Sequence, residues 1–223
     1  MAVPVLPPPL REGDHLTSEE FLRRWEAMPD LKHAELIDGI VYMPSPVSLE
    51  HGDPHSFLHL WLGGYSIATP GCRSLLEATW LMGEHQTPQP DITLRILPEY
   101  GGQSTVVGPY ASGAPELIVE VAVSSYSREF GAKKRLYERM GVREYLIAVP
   151  REHKLVCQGL TTTGFQIIEP GTDGVFRSLC FPGLWLDTAS VWVDDLQRMN
   201  SVLQQGLATA EHVRFAAQLM SQK

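Results

Sequence analysis

Apolar residues along this chain fall into two kinds of segment: short continuous runs, and longer stretches with helical spacing. Residues 117–121 form a run that is apolar except for Glu120, which is typical of a central strand covered on both faces. Residues 144–149 form a second run of this kind, and the segment 128–140 between them has helical character. The chain is therefore predicted to contain a strand–helix–strand unit in this region.

The N-terminal half carries several signals for helix starts and turns. Thr17 and Glu20 have the spacing of a capping box, and Asp38-Gly39 between two apolar runs is typical of a hairpin turn. Pro54 suits only the first turn of a helix, which would leave His51 before the helix proper. The elements predicted here are a helix over about 17–28, a hairpin over 34–43, a helix over about 49–65, and strands around 73–81 and 91–97.

The C-terminal half is predicted to be less regular before it ends in helices. Residues 98–115 are rich in glycine and are predicted to form a long loop, a feature that is often functional. The later predicted elements are short strands near 154–160 and 164–168, and two helices over about 188–221 that are split near Gly206. We expect a flexible N-terminal arm over 1–15, one domain over 16–190, and a C-terminal helical extension over 191–223.

Composition places the chain among globular proteins. Its 223 residues are 43% hydrophobic, which is enough to build a core, and no run reaches the roughly 20 apolar residues that a membrane span needs. The start of the chain does not resemble a signal peptide, and the three widely spaced cysteines predict free thiols in a reducing compartment. These features predict a cytoplasmic protein that does not bind membranes.

Common motifs for nucleotides and for nucleophilic catalysis are missing from the sequence. There is no Walker A or GxGxxG motif, so no organic cofactor is expected. Ser124 and Ser125 follow the predicted central strand, but no Gly-x-Ser-x-Gly elbow surrounds them. A serine hydrolase is therefore not predicted.

Charge is distributed unevenly along the chain. The formal net charge of −8 opposes broad binding to nucleic acid. Residues 128–154, however, carry eight Lys and Arg against four Glu, which is a local excess of positive charge. One cationic region on an acidic body suits a confined anionic substrate, although charge runs are more often solvated helix faces.

Two carboxylates lie at strand-like segments. Asp91 follows Pro90 at a strand start, and Glu120 interrupts the apolar run, so Glu120 needs a strong partner if it is buried. If the two strands are neighbours, both carboxylates can hold Mg²⁺ through oxygen ligands. The alternatives are a turn-capping role for Asp91 and a buried salt bridge for Glu120.

Basic and acidic residues on neighbouring elements would complete such a site. Glu129, Lys133 and Tyr137 recur at helical spacing on one face, and Lys133, or otherwise Lys134, can reach back to the carboxylates. The alternative is an ordinary surface pair between Glu129 and Lys133. Glu35, before the hairpin turn, is either a third acidic member of the site or an exposed hairpin residue.

Three histidines, His51, His55 and His59, recur every four residues. Two histidines at this spacing on a helix can bind zinc, but Gly52 stands where zinc hydrolases have a glutamate. A zinc hydrolase is therefore one hypothesis for the histidines. The functional alternative that we favour is that His51 faces the two carboxylates.

These segments together resemble a known family. The resembling pieces are Glu35-Leu36-Ile37-Asp38-Gly39, Met43-Pro44-Ser45-Pro46 with His51, Pro90-Asp91, Leu117-Ile118-Val119-Glu120-Val121, Lys133 with Tyr137, Gly141-Val142, Glu144-Tyr145, and Phe181-Pro182-Gly183-Leu184. Over about residues 17–190 the chain resembles the Uma2 family, a branch of the PD-(D/E)XK restriction-endonuclease-like nucleases.

The resemblance implies a fold and an activity. The implied fold is α/β (α+β), a restriction-endonuclease-like mixed β-sheet flanked by helices. The implied activity is Mg²⁺- or Mn²⁺-dependent cleavage of DNA that leaves 5′-phosphate and 3′-hydroxyl ends. Asp91 and Glu120, with the Val121 carbonyl, would hold the metal. The implied supporting groups are Lys133 as the catalytic lysine, Glu35 as the N-terminal acid, and His51 after the first hairpin.

Two residues depart from the family pattern. Ala122 stands where the strand lysine is expected, so the site depends on Lys133 or Lys134 instead. Glu129 stands where Asp is more common. The main hypothesis is therefore a metal-dependent endonuclease, and the alternative is a weakly active or inactive nuclease fold used for nucleic-acid binding or protein assembly. A homodimer is compatible with cutting both strands of a duplex.

Overall fold

The computed structural model describes residues 6–43, 46–123 and 126–223. Pro44, Ser45, Ser124 and Ser125 lie outside these ranges, as does the first third of the predicted N-terminal arm. The helices of the described residues are α1 (Ser18–Glu26), α2 (Leu49–Ala68), α3 (Tyr126–Arg128), α4 (Lys134–Met140), α5 (Leu196–Leu207) and α6 (Ala210–Gln222), with a π-helical turn at Glu129–Lys133 and 3₁₀ turns at Pro98–Tyr100 and Pro150–Glu152.

The strands of the described residues form one large sheet and three small ones. They are β1 (Glu35–Ile37), β2 (Ile40–Tyr42), β3 (Cys72–Leu76), β4 (Trp80–Leu81), β5 (Ile92–Ile96), β6 (Thr105–Val107), β7 (Tyr110–Ser112), β8 (Leu117–Val121), β9 (Glu144–Val149), β10 (Lys154–Thr161), β11 (Gly164–Ile167), β12 (Val175–Arg177) and β13 (Trp185–Asp187).

The large sheet has the strand order β11-β10-β9-β8-β5-β3. Strands β8 and β9 are parallel and are joined through the helical segment 126–140, as the strand–helix–strand pattern predicts. The other neighbours in this sheet are antiparallel, so the sheet is mixed. The mixed sheet flanked by helices that the resemblance implies is therefore confirmed.

Alternation along β8 divides the core between the two faces of the sheet. Leu117, Val119 and Val121 pack into a cluster with α2 and the C-terminal helices. Ile118 and Ala122 belong to a cluster on the opposite face, which includes buried residues of α4. Because side chains alternate, Glu120 lies on the α4 face, where it is enclosed by that second cluster.

The hairpin prediction in the N-terminal half is confirmed. Strands β1 and β2 pair with Ile37 opposite Ile40. Asp38 and Gly39 between them both have positive φ, which the two central positions of a tight hairpin turn require. The helix predicted from Thr17 is present as α1, and the Thr17 hydroxyl accepts a hydrogen bond from the Glu20 N–H.

Three other predictions about local structure are wrong. Helix α2 begins at Leu49, so His51 lies within it and Pro54 lies beyond its first turn. The predicted loop 98–115 contains a 3₁₀ turn and the β6–β7 hairpin. The region 188–221 is helical only from Leu196, and the strands β12 and β13 before it were not predicted.

The C-terminal helices pack against the sheet. Met199, Leu203 and Leu219 are buried in the same cluster as β8 and α2. All three cysteines are free thiols, as predicted from their spacing. No helix among the described residues is both long and apolar enough to cross a membrane.

Candidate active site

A cleft of about 560 Å³ opens beside the ends of β5 and β8. The hairpin β1–β2, the start of α2 and the helical segment 126–140 form its other walls. Among the described residues, the carboxylates that line it are Glu35, Glu77, Asp91, Glu120 and Glu129, and the permanently charged cations are Arg128 and Lys133. The acidic groups therefore outnumber the fixed positive charges within the cleft.

Asp91 is placed at the cleft by the pairing of two strands. Strands β5 and β8 are antiparallel with Ile92 opposite Val119, which brings Asp91 beside Glu120. The Val121 N–H donates to Asp91 Oδ2 at 2.7 Å, and His51 Nε2 lies 3.4 Å from the same oxygen. Asp91 is thus held by the adjacent strand and by the first turn of α2.

Glu120 is almost completely buried, with 1% of its side chain exposed. Its Oε1 accepts hydrogen bonds from Lys133 Nζ at 2.9 Å and from the Tyr137 hydroxyl at 2.7 Å. Both donors come from the helical segment that packs over this face of β8. The partner that a buried carboxylate requires is therefore supplied by a helix.

Lys133 joins three acidic side chains. Its Nζ lies 2.9 Å from Glu35 Oε1 and from Glu120 Oε1, and 3.7 Å from Glu129 Oε1, and only 3% of its side chain is exposed. Glu35 also accepts the Gln89 N–H at 2.9 Å, which fixes its carboxylate between the hairpin and the strand β5. One ammonium group thus connects the hairpin, the central strand and the helix.

A π-helical turn carries two of these groups. The turn Glu129–Lys133 is wider than an α-helical turn, and Glu129 and Lys133 lie at its two ends and both line the cleft. Tyr145 on β9 donates its hydroxyl hydrogen bond to the Glu129 carbonyl at 3.1 Å and so supports this turn from the sheet. Such turns often occur at functional sites.

The shared ammonium group explains the ionisation of the cluster. Burial raises the pKa of Glu120 to about 8. The positive charge of Lys133 opposes this rise, and the nearby carboxylates add to it. Burial lowers the pKa of Lys133, but Glu120 and Glu35 outweigh this effect, so that the pKa is raised above its usual value. Lys133 is therefore a permanent cation beside Glu120.

Asp91 and His51 form a second ionised pair. Burial raises the pKa of Asp91, but the hydrogen bond from His51 and the charge of Lys133 outweigh it, so that the pKa is lowered below its usual value. The hydrogen bond to Asp91 also raises the pKa of His51. Asp91 is thus held in the charged form that metal ligation requires.

The donor set of the cleft fits a divalent cation such as Mg²⁺. The closest contacts of Asp91 use Oδ2 and those of Glu120 use Oε1, which leaves the second oxygen of each carboxylate for a ligand. No group of three His, Cys, Asp or Glu in the described part of the chain is arranged to hold a metal. Mg²⁺ fits a site of one or two carboxylates because it retains several waters.

The remaining residues named from sequence take different places. Tyr137 lies behind Glu120 and does not line the cleft, and neither does Lys134, the neighbour of the buried Lys133. His55 Nε2 lies 3.2 Å from the Asp91 carbonyl oxygen. The described residues contain no three-ligand group, so the structure offers the histidine row no support as a zinc site.

Arg128 and Tyr42 are among the cleft residues that were not identified from sequence. Arg128 was counted only as part of a charge run, and Tyr42 only as part of the hairpin, yet both line the cleft. The Arg128 guanidinium lies 5.2 Å from the centre of the Tyr42 ring. Their positions along the chain contain no local signal that would bring them together.

Comparisons with known proteins agree with this fold. Residues 18–189 match the model of the family Uma2, described as "Putative restriction endonuclease". The fold is similar to the crystal structure of "a putative nuclease belonging to DUF820" from Anabaena variabilis, with a TM-score of 0.63 and 16% identity over 80% of this chain and 98% of the other. A search among curated proteins gives no match.

Proposed function

Because the chain belongs to the Uma2 family, whose model describes a "Putative restriction endonuclease", we propose that it is a metal-dependent endonuclease that hydrolyses phosphodiester bonds of DNA. The observation that carries this proposal is the pair Asp91 and Glu120 on adjacent strands, with Lys133 bonded to Glu120 at 2.9 Å. Two carboxylates and a lysine are the groups that metal-assisted phosphodiester hydrolysis uses.

The metal ligands in this proposal are Asp91, Glu120 and the Val121 carbonyl. When bound there, Mg²⁺ or Mn²⁺ would lower the pKa of a water ligand and neutralise charge on the phosphate. His51 holds Asp91 in its charged form, and the Tyr137 hydroxyl fixes the orientation of Glu120. Each of the two carboxylate ligands is therefore positioned by a residue behind it.

Lys133 acts as a cation in this mechanism. Because its pKa is raised, it does not take a proton from water; its positive charge beside Glu120 offsets part of the negative charge that develops on the phosphate. Glu35 and Glu129 keep the ammonium beside Glu120. Ala122 in the usual lysine position is compatible with this role, since the helix supplies the ammonium instead.

The test is a cleavage assay on supercoiled plasmid and on single-stranded DNA and RNA, with Mg²⁺, Mn²⁺ or EDTA. Glu120→Gln and Asp91→Asn keep the shape of each side chain and should reduce cleavage at least 100-fold, on the order of what a lost catalytic interaction costs. Glu77→Gln is the matched control, because Glu77 also lines the cleft but pairs with His33.

Melting temperatures separate loss of activity from loss of folding. Cleavage that needs a divalent ion, persists in Glu77→Gln and disappears in folded Glu120→Gln would support the proposal. Equal cleavage by the wild type and by both site variants would refute it.

A second function is favoured by one observation. Lys133 is already engaged by three carboxylates, and the chain has a net charge of −8. The electrostatic attraction of this protein for nucleic acid is therefore weak without a metal. A nuclease fold used for binding or assembly would then bind its partner equally well with EDTA and with Mg²⁺. That result, together with no cleavage of any substrate, would favour this alternative.

A further inference from the structure

We infer that Arg128 binds a phosphate of the nucleic-acid substrate at the cleft, a role that rests on the proposed endonuclease function. Arg128 lies at the end of α3, one residue before the π-helical turn that carries Glu129 and Lys133. The segment that brings Lys133 to the carboxylates therefore also brings a guanidinium group to the same cleft.

The distribution of charge in the cleft leaves the phosphate to Arg128. Among the described residues that line the cleft, Arg128 and Lys133 are the permanently charged cations. Lys133 is within 2.9 Å of two carboxylates and nearly inaccessible to solvent, so it has little capacity to bind a second anion. Arg128 keeps 27% of its side chain exposed.

The contacts of Arg128 with other described residues hold the side chain without using its hydrogen bonds. The guanidinium lies 5.2 Å from the centre of the Tyr42 ring, and its Nε is 3.7 Å from Glu129 Oε1, which is too far for a hydrogen bond. Nε is buried and makes no hydrogen bond within the described residues. A buried donor of this kind is costly unless a ligand supplies an acceptor.

Phosphate is the ligand that this arrangement fits. A guanidinium presents several N–H donors in a planar fork that matches two phosphate oxygens, and it stacks on aromatic faces as it does here on Tyr42. Because Arg128 and the carboxylates line the same cleft, one substrate strand can contact both. Arg128 thus supplies substrate binding that the acidic groups cannot provide.

The experiment compares Arg128→Ala and Arg128→Lys with Arg135→Ala. Arg135 is exposed on α4 of the same helical segment and does not line the cleft, so its substitution makes the same charge change elsewhere. Binding of a fluorescent single-stranded oligonucleotide is measured by anisotropy in Ca²⁺ over a range of salt concentrations. Cleavage by the same proteins is measured in Mg²⁺, and circular dichroism checks that each is folded.

Arg128→Ala should weaken binding on the order of ten- to hundred-fold, which is the usual effect of losing hydrogen bonds to a charged group. It should also reduce the slope of log affinity against log salt by about 0.7, which is the contribution of one phosphate contact on a single strand, while Arg135→Ala leaves that slope unchanged. Arg128→Lys keeps the charge and loses the fork, so it should retain the slope and bind with intermediate affinity. If Arg128→Ala does not fold, the affinity of Arg128→Lys relative to that of the wild type decides whether the inference holds.

The outcomes separate this inference from the proposed function. If no protein cleaves but Arg128→Ala binds more weakly with a reduced slope, the role of Arg128 is supported and the endonuclease proposal fails. If cleavage is present and Arg128→Ala binds like Arg135→Ala, the role of Arg128 is overturned and the endonuclease proposal stands. An increase in KM with unchanged kcat in Arg128→Ala would further support binding of the substrate.

Discussion

Replacing Lys133 by methionine tests whether the carboxylate cluster depends on one shared ammonium group. The substitution keeps a long apolar side chain and removes the charge that lies 2.9 Å from Glu35 and Glu120 and 3.7 Å from Glu129. Removing one partner of a buried ion pair costs about 3–5 kcal/mol, because the remaining charge is left without compensation. We expect a loss of stability of this size at pH 7.5.

The cost of keeping a carboxylate neutral leads to a similar loss of stability and predicts how that loss depends on pH. A glutamate with an ordinary pKa of about 4.3 costs about 4 kcal/mol to keep protonated at pH 7.5, and about 1.6 kcal/mol at pH 5.5. If Lys133→Met forces one carboxylate of the cluster besides Glu120 to be neutral, the folded state of the variant binds one more proton than that of the wild type above pH 4.3. Stability must then fall as pH rises, so the cost of the substitution should be larger at pH 7.5 than at pH 5.5.

Urea unfolding followed by tryptophan fluorescence measures both values. Lys134→Met is the matched control, since Lys134 is adjacent, is half-buried and does not line the cleft, and it should change stability by less than about 0.5 kcal/mol. A loss below about 1 kcal/mol for Lys133→Met at pH 7.5, or a loss independent of pH, would contradict the reasoning.

Four further predictions follow from other contacts. Tyr137→Phe removes the 2.7 Å hydrogen bond to Glu120 and should cost about 1–3 kcal/mol in urea unfolding, and an unchanged midpoint would argue against that bond. Mg²⁺ at ten times its Kd should stabilise the wild type by about 1.4 kcal/mol and leave the melting temperature of Asp91→Asn unchanged. Because burial raises the pKa of Glu120 to about 8, Mg²⁺ affinity should increase from pH 6 to pH 8.5, with proton release seen by titration calorimetry in two buffers. Gly206→Ala places a Cβ against the carbonyl oxygen of Gly183 and should cost about 1–3 kcal/mol, where a smaller loss would mean that the two backbones separate easily.

The parts of the fold that were predicted correctly depend on local pattern. All residues of β8 except Glu120 are apolar because this strand is covered on both faces. This pattern is visible in the sequence. Asp38-Gly39 identified the first hairpin because few residue pairs suit a turn with two positive φ angles. In both cases the cause of the structure lies within a few residues of its effect.

The parts that were missed depend on partners that are distant in sequence. Strands β6 and β7 are three residues each, too short for alternation to be recognised, and they are joined through Gly108 and Pro109. Pro54 indicated a first helical turn, but it lies beyond the first turn of α2 and its ring is buried there. Tertiary packing decided these structures, and a single sequence contains little information about it.

The candidate site shows the same division between local and distant causes. The acidity of Asp91 and Glu120 and the helical spacing of Glu129 and Lys133 are visible in the sequence, so that the site residues could be named. The cation–π contact of Arg128 joins the last residue of α3 to Tyr42, more than eighty residues earlier in the chain. No periodic pattern connects two such positions.

The position of the lysine follows from how the helix packs on the sheet. A lysine at position 122 would lie on the same face of β8 as Glu120, but Ala122 is buried there in one cluster with Leu136 and Tyr137. A long charged side chain at that position would push the helix away from the strand. A small residue lets the helix pack closely, and close packing brings Lys133 within 2.9 Å of Glu120. In the proposed site, the small residue at 122 therefore allows the lysine at 133 to place its ammonium group beside Glu120.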